Sequence, residues 1–284
     1  MNYDFIIYGG GMSSEIAALA LANNDFKVCF IKSKLNQSRE SNLVTFLSTG
    51  SVNYLYDILD DPAELNEFAD IKKITCKLTS TDKNSGITFD NDSSSVLGKI
   101  LPNKIIYNLL SLNLENNKNI KTIYKTQSIR KKTSLNKVSI QIDEKKEIFA
   151  KVFILSASNQ DLLDHTDIKF ISHDLNQTAL SMNVTGEFKK QNHAFQIFTS
   201  SGPLAFLPYA NDKASLVWSL KNDSKELHYE KSNLESKVNN YFEKEIGTLK
   251  IENTESHKLD FNFAKKLYTE NTVIIGNIAH NIHP

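Results

Sequence analysis

Two short segments near opposite ends of the chain carry the residues best suited to binding a nucleotide. Residues 3–12 read YDFIIYGGGM, an apolar run that leads into three consecutive glycines. A strand, a glycine turn and a helix present backbone N–H groups and a helix N-terminus to a pyrophosphate. Residues 273–284 read VIIGNIAHNIHP, a second apolar run that reaches a Gly-Asn turn. We interpret the two segments as parts of one site that two domains enclose, although the first glycines alone could form only a tight turn.

The residues around the first glycines predict a βαβ unit. The pattern indicates a strand over 5–8, a helix over 13–23 and a second strand over 27–31. The helix segment is rich in alanine and leucine, and the strand segments are short apolar runs. Such a unit at the start of a chain is typical of a doubly wound dinucleotide-binding fold.

The rest of the chain mixes further helices with a long antiparallel region. Helices are predicted toward the end of 33–60, over 102–114 and over 227–244. Further strands are predicted as a pair over 71–92 and singly over 120–129, 138–142, 149–155, 177–184, 194–198, 202–208, 215–220 and 273–275. The continuous apolar run 152–155 is typical of a strand in a buried parallel sheet. The fold class is therefore α/β, with a Rossmann-like domain and an antiparallel-sheet domain.

Composition excludes several classes of protein. The 284 residues are 40% hydrophobic and 23% charged, which indicates a globular chain. Lys+Arg and Asp+Glu both number 33, so no basic surface for nucleic acid is expected. The two cysteines are isolated and fit neither a disulfide framework nor a metal site. With no signal peptide or bilayer-length apolar run visible, we expect a cytoplasmic protein, with peripheral membrane contact left open.

Four blocks in the middle of the chain and one at its end closely resemble a known enzyme family. The middle blocks are QTAL at 177–180, AFQIF at 194–198, SGPLAFLP at 201–208 and SLVWSL at 215–220. Together they resemble the FAD-dependent ubiquinone-biosynthesis hydroxylases, which are flavoprotein monooxygenases of the para-hydroxybenzoate hydroxylase type. The final GNIAHNIHP, 276–284, resembles the second flavin motif of that family.

The resemblance implies a two-domain enzyme in which FAD lies along the first domain and its ring faces an antiparallel substrate-side sheet. It assigns 1–70, 93–170 and 266–284 to the FAD-binding domain, and 71–92 and 171–265 to the substrate side. NAD(P)H would reduce the flavin, and dioxygen would then be used to hydroxylate an aromatic ring. The implied substrate is a hydrophobic polyprenylated phenol, and other ubiquinone-synthesis proteins are possible partners. No metal is implied, and no catalytic acid or base stands out.

By position in the family motifs, nine residues are predicted to contact FAD. They are Gly9, Gly11, Met12, Ser14, Lys32, Lys104, Gly276, Asn277 and Pro284.

Several of these positions depart from the family pattern. Ser14 stands where a third small residue is expected but adds an oxygen at a close helix–strand contact, and Lys32 stands where an acid would bind the adenosine ribose. A lysine cannot accept a hydrogen bond, so Lys32 is either an ordinary solvated lysine or a sign of a changed nucleotide preference. Leu43 and Lys104 replace two arginines of the pattern.

The remaining departures lie in the second half of the chain. Ser156–Asn159 replaces the Gly-Ala-Asp-Gly motif of the family. The sequence stops at Pro284, where family members continue, so we expect either a fragment of a longer chain or a naturally short protein. These departures leave two alternatives open beside the hydroxylase. One is a non-catalytic relative that serves as a scaffold or accessory in quinone synthesis, and the other is a flavoprotein that does not activate oxygen.

Overall fold

A computed structural model describes residues 2–33, 42–79, 86–90, 95–124, 128–134, 137–143, 146–163 and 166–282. In this part of the chain the strands are β1 Asn2–Gly9, β2 Val28–Lys32, β3 Val44–Ser48, β4 Asp70–Ile71, β5 Lys73–Leu78, β6 Gly86–Asp90, β7 Gly98–Pro102, β8 Ile120–Ile123, β9 Ile129–Ser134, β10 Lys137–Ile142, β11 Lys146–Leu155, β12 Phe170–Thr185, β13 His193–Thr199, β14 Gly202–Pro208, β15 Lys213–Lys221, β16 Lys250–Ala264, β17 Tyr268–Thr269, β18 Thr272–Ile274 and β19 His280–Asn281. The α-helices are α1 Met12–Asn23, α2 Thr49–Ile58, α3 Asn103–Asn116, α4 Gln160–Leu163 and α5 Lys231–Phe242. Among the helices of these residues, none has the length and apolar character needed to cross a bilayer.

The first sheet has the strand order of a dinucleotide-binding fold. Its path is β17-β18-β11-β1-β2-β8, and β1, β2, β8, β11 and β18 run parallel. The chain moves from β1 toward β2 and β8 on one side, whereas β11 and β18 lie on the other. The order therefore reverses at β1, and ligands bind outside the carboxyl ends of strands at such a point. Strands β9 and β10 form an antiparallel extension beside β11.

The second sheet is almost wholly antiparallel and forms the other large layer. Its order is β19-β16-β12-β15-β14-β13-β5-β6, with only β13 and β5 parallel. Helix α5 covers one face, where Phe206, Trp218, Val238 and Phe242 are fully buried together. A small third sheet, β3-β7-β4, packs through Ile100 and its neighbours against the second sheet at Ala194. The predicted fold class, Rossmann-like with an antiparallel-sheet domain, is confirmed.

Some predicted elements differ from the structure. The single strand expected over 120–129 is instead β8 followed by β9. The segment before α2 contains strand β3, where the sequence had indicated only a helix toward its end. No strand is predicted over β16, which has 15 residues. Much of this strand is exposed and it carries few apolar residues, so its sequence lacks a clear strand pattern.

Candidate functional site

The glycine turn after β1 is built on close contact between the first strand and α1. A Cβ atom added to Gly9 would lie 2.7 Å from both Cβ and Oγ of Ser14, so only glycine fits there. Ser14 is fully buried, and its hydroxyl donates to the Gly11 carbonyl at 2.7 Å. The extra oxygen at the third glycine position is thus hydrogen-bonded within the turn. Ser14 is therefore compatible with the tight strand–helix packing that the fingerprint requires.

We expect Gly9→Ala to lower the free energy of unfolding by about 1–3 kcal/mol, because the methyl group overlaps the Ser14 side chain. The measurement is urea denaturation followed by circular dichroism. The double variant Gly9→Ala/Ser14→Gly should recover part of this loss, since the overlapping atoms are gone. Gly11→Ala is the control, because its Cβ would meet no heavy atom within 4 Å. Equal losses in Gly9→Ala and Gly11→Ala would contradict the packing argument.

Gly11 forms the open side of the same turn. It occupies the N-cap position of α1 with φ −89° and ψ 170°, and no side chain caps the helix there. It lines a cleft, together with Gly10, Met12 and Ser13. The backbone at the start of α1 is therefore open to a bound group.

Three loops at the carboxyl edge of the first sheet meet at this turn. Gly276, which follows β18, has φ +71°, and a Cβ there would lie 3.1 Å from Oγ of Ser13 and Oγ of Ser156. The Ser156 N–H donates to the Tyr8 carbonyl at 2.8 Å, which aligns the loop after β11 with the end of β1. The two glycine segments that are distant in sequence are thus neighbours in the fold.

The cleft has a volume of about 900 Å³ and lies between the first and second sheets. Its lining residues come from the first sheet's loops, from β3 and α3, from β12 and β16, and from the segment after β18. They are Gly10, Gly11, Met12, Ser13, Ser33, Leu43, Thr45, Asn103, Tyr107, Ser156, Ala157, Ser158, Leu163, Phe170, Ser172, Asp260, Asn262, Asn277, Ile278 and Asn281.

Polar side chains fasten the last part of the described chain to the second sheet. Ser172 donates its hydroxyl hydrogen to Oδ1 of Asn262 at 2.8 Å. The amide of Asn262 donates to the Ile278 carbonyl at 2.8 Å, and the amide of Asn281 donates to the Asp260 carbonyl at the same distance. The segment that contains Asn277 is therefore tied to the second sheet by side-chain hydrogen bonds.

The start of α3 provides another part of the cleft wall. Asn103 lines the cleft, and its Oδ1 accepts a hydrogen bond from the Thr45 hydroxyl at 2.7 Å. Its backbone N–H donates to the Leu43 carbonyl at 2.9 Å. Lys104, the neighbour predicted to contact the cofactor, is exposed and is not part of the lining.

Lys32 is neither solvated nor in the cleft. Its Nζ lies 3.2 Å from Oε1 of Glu15 on α1, and the two side chains are 9% and 0% exposed. Burial lowers the pKa of Lys32, while the nearby Tyr124, Glu115 and Tyr107 oppose the shift. The interpretation of Lys32 as an ordinary solvated lysine is therefore wrong, because its charge is committed to a buried carboxylate.

Some of the residues predicted to contact the cofactor line the cleft, and others do not. Gly11, Met12 and Asn277 line the cleft. Gly9, Ser14, Lys32, Lys104 and Gly276 are outside its lining, and Gly9, Ser14 and Gly276 instead shape the turn. Pro284 lies outside the described residues. The sequence prediction missed Ser13, Ser33 and Asn103, each of which is next to a residue that it had singled out.

A second, shallower cleft of about 550 Å³ contains His193. Burial lowers the pKa of His193 to about 4, with Lys190, Lys73 and Lys77 acting in the same direction and Glu245 opposing. The ring lies 2.8 Å from the Thr75 hydroxyl through Nε2. Its imidazole is therefore neutral near pH 7 and serves a structural contact.

Comparison with known proteins places the chain beside flavin-dependent monooxygenases. It is similar to the ubiquinone biosynthesis monooxygenase COQ6, mitochondrial, of Dictyostelium discoideum, with 26% identity over 265 residues that cover 76% of this chain and 52% of the relative. The protein of that name from Homo sapiens is 25% identical over 245 residues, which cover 78% of this chain and 52% of the relative. The chain thus spans about half the length of the curated relatives it matches. No family model matches it.

Solved structures share the fold over the whole chain. A probable FAD-dependent monooxygenase of Pseudomonas aeruginosa, pqsL, has a TM-score of 0.78 and 13% identity, covering 100% of this chain and 80% of that one. The p-nitrophenol 4-monooxygenase PnpA of Pseudomonas putida DLL-E4 has a TM-score of 0.75 and 12% identity, covering 100% of this chain and 74% of that one. The resemblance to the ubiquinone-biosynthesis monooxygenases that the sequence predicted is confirmed.

Proposed function

We propose that this chain, a relative of the FAD-dependent ubiquinone-biosynthesis monooxygenases, binds FAD in the cleft between its two large sheets. The proposed reaction is hydroxylation of an aromatic, polyprenylated phenol with NAD(P)H and dioxygen. The observation that supports it is the meeting of the open Gly11 turn, Ser156 and the Gly276-Asn277 turn at the point where the strand order reverses.

The donor set at the glycine turn fits a pyrophosphate. The first N–H groups of a helix have no partner within the helix, and its N-terminus carries a partial positive charge. No side chain caps α1 at Gly11, and the missing side chain at Gly11 lets an anionic group approach the backbone closely. Gly11, Met12 and Ser13 would therefore hold the diphosphate of FAD.

When bound, FAD supplies the redox chemistry, and the protein supplies position and surroundings. Asn277 and Ile278 line the cleft from the segment after β18, and Phe170 lines it from β12. The hydrogen bond from the Asn262 amide on β16 to the Ile278 carbonyl ties this segment to the second sheet. The chain's own residues would thus orient the cofactor and limit its contact with water.

The location of the protein and its partners stay predictions. The curated relatives are described as mitochondrial, whereas the sequence alone suggested a cytoplasmic protein. Association with other ubiquinone-synthesis proteins and peripheral contact with a membrane are part of the proposal.

A second candidate function is a non-catalytic accessory role in quinone synthesis. The observation that favours it is the Lys32–Glu15 pair, since it leaves no carboxylate at the usual ribose-binding position. Ser156–Asn159, which replaces the Gly-Ala-Asp-Gly motif of the family, points in the same direction.

Assay of the FAD-supplemented chain with a phenolic quinone precursor separates the two functions. The hydroxylase predicts oxidation of NADH or NADPH that depends on the phenol, and a product that has gained one oxygen atom by mass spectrometry. The accessory role predicts a folded chain that yields no such product. Flavin that is bound and reduced without any hydroxylated product would indicate the flavoprotein that does not activate oxygen.

A further inference from the structure

Ser33 has an unsatisfied buried hydroxyl at the edge of the cleft. It directly follows Lys32 at the end of β2, and its backbone N–H donates to the Gly9 carbonyl at 2.8 Å. The residue is only 6% exposed and lines the cleft. Within the described residues its Oγ has no hydrogen-bond partner.

A buried polar group without a partner is unfavourable, and a ligand that supplies the missing hydrogen bond recovers that loss. The free hydroxyl stands one residue beyond the position at which dinucleotide-binding folds place a ribose-binding acid. Lys32 occupies that position itself and is held away from the cleft by Glu15. A serine hydroxyl can both donate to and accept from a sugar hydroxyl, which a lysine cannot do.

We infer that Ser33 binds a ribose hydroxyl of the adenosine half of the dinucleotide, in place of the usual acid. The inference rests on the proposed binding of FAD and identifies one residue that contributes to the affinity for its adenosine half. The ligand group is the ribose of a nucleotide, with free hydroxyl groups. The buried Lys32–Glu15 pair leaves this role to the next residue.

The test compares dissociation constants of the wild-type chain and Ser33→Ala by quenching of flavin fluorescence. We expect Ser33→Ala to weaken FAD binding about 3- to 10-fold, the usual range for one neutral hydrogen bond. Ser33→Cys keeps the size of the side chain but is a poor donor, and it should show a similar loss. Ser215→Ala is the matched control, because Ser215 also has a buried hydroxyl without a partner in the described chain but lies in the second sheet, outside the cleft lining.

Ligand analogues then identify the contact. FAD analogues that lack the adenosine 2′- or 3′-hydroxyl should bind the wild-type chain more weakly, and for one of the two the loss should disappear in Ser33→Ala. FMN, which has no adenosine, should bind wild type and Ser33→Ala equally. If Ser33→Ala and Ser33→Cys bind FAD as tightly as the wild-type chain does, the inference is overturned. The proposed function remains intact in that case. Failure of the folded wild-type chain to bind FAD would instead remove the proposed function, and the inference with it.

Discussion

Replacing Lys32 by methionine is expected to lower the free energy of unfolding by about 3–5 kcal/mol, the range found when one partner of a buried ion pair is removed. The Glu15 side chain is fully buried, and its Oε1 lies 3.2 Å from the lysine ammonium. Without the lysine, a fully buried carboxylate would lose the ammonium group that lies 3.2 Å away. Urea denaturation of the wild-type chain and Lys32→Met at pH 7 measures the difference.

Two control variants test whether the loss of stability in Lys32→Met comes from the buried charge of Glu15. The double variant Glu15→Gln/Lys32→Met removes both charges and should be far more stable than Lys32→Met, because neither charge of this pair remains. Lys151→Met breaks an ion pair with Asp4 at 2.8 Å whose side chains are 75% and 24% exposed. Exposed pairs contribute about 0–1 kcal/mol, so this variant should lose little stability. Similar losses in Lys32→Met and Lys151→Met would show that the first pair is not buried as described.

Replacing Gly11 by valine is expected to weaken FAD binding about 100-fold or more, equivalent to about 3 kcal/mol, while the fold is retained. The backbone at Gly11 is extended, and its Cβ would enter open space, so the fold has room for the side chain. The same space is the approach to the N–H groups of α1, where the proposed diphosphate lies. Fluorescence titration with FAD measures the affinity of the wild-type chain and Gly11→Val, and thermal unfolding of the two proteins shows whether the fold is retained.

Gly50→Val is the matched control for this substitution. A Cβ at Gly50 would also meet no atom within 4 Å, but Gly50 lies in α2, away from the cleft lining. It should leave the affinity for FAD unchanged. If Gly11→Val bound FAD as well as Gly50→Val does, the diphosphate could not lie at the start of α1.

The first βαβ unit and the antiparallel region could be predicted from the sequence because their signals are local. The glycine run and the buried apolar strands around it have few alternative structures. Strand β16 lacks such a signal, since its pairing with β12 depends on backbone hydrogen bonds between segments far apart in sequence. Its alternation between half-buried and exposed positions involves mostly polar residues.

The candidate site was predictable where a backbone turn forms it and unpredictable where side chains from distant segments meet. Gly11 and Asn277 lie where the motifs suggested. The pairing of Lys32 with Glu15 needed the structure, because it joins the end of β2 to the first turn of α1. The Ser33 hydroxyl has no hydrogen-bond partner among the described residues, and this is likewise a tertiary property that its sequence neighbours do not reveal.

Calorimetric titration of FAD into the folded wild-type chain measures whether the cleft between the two sheets binds FAD. We expect saturable heat with one FAD bound per chain, and the absorption spectrum of an enclosed flavin in the complex. A chain that is folded by circular dichroism but gives neither binding heat nor a change in the flavin spectrum would show that the cleft does not bind FAD.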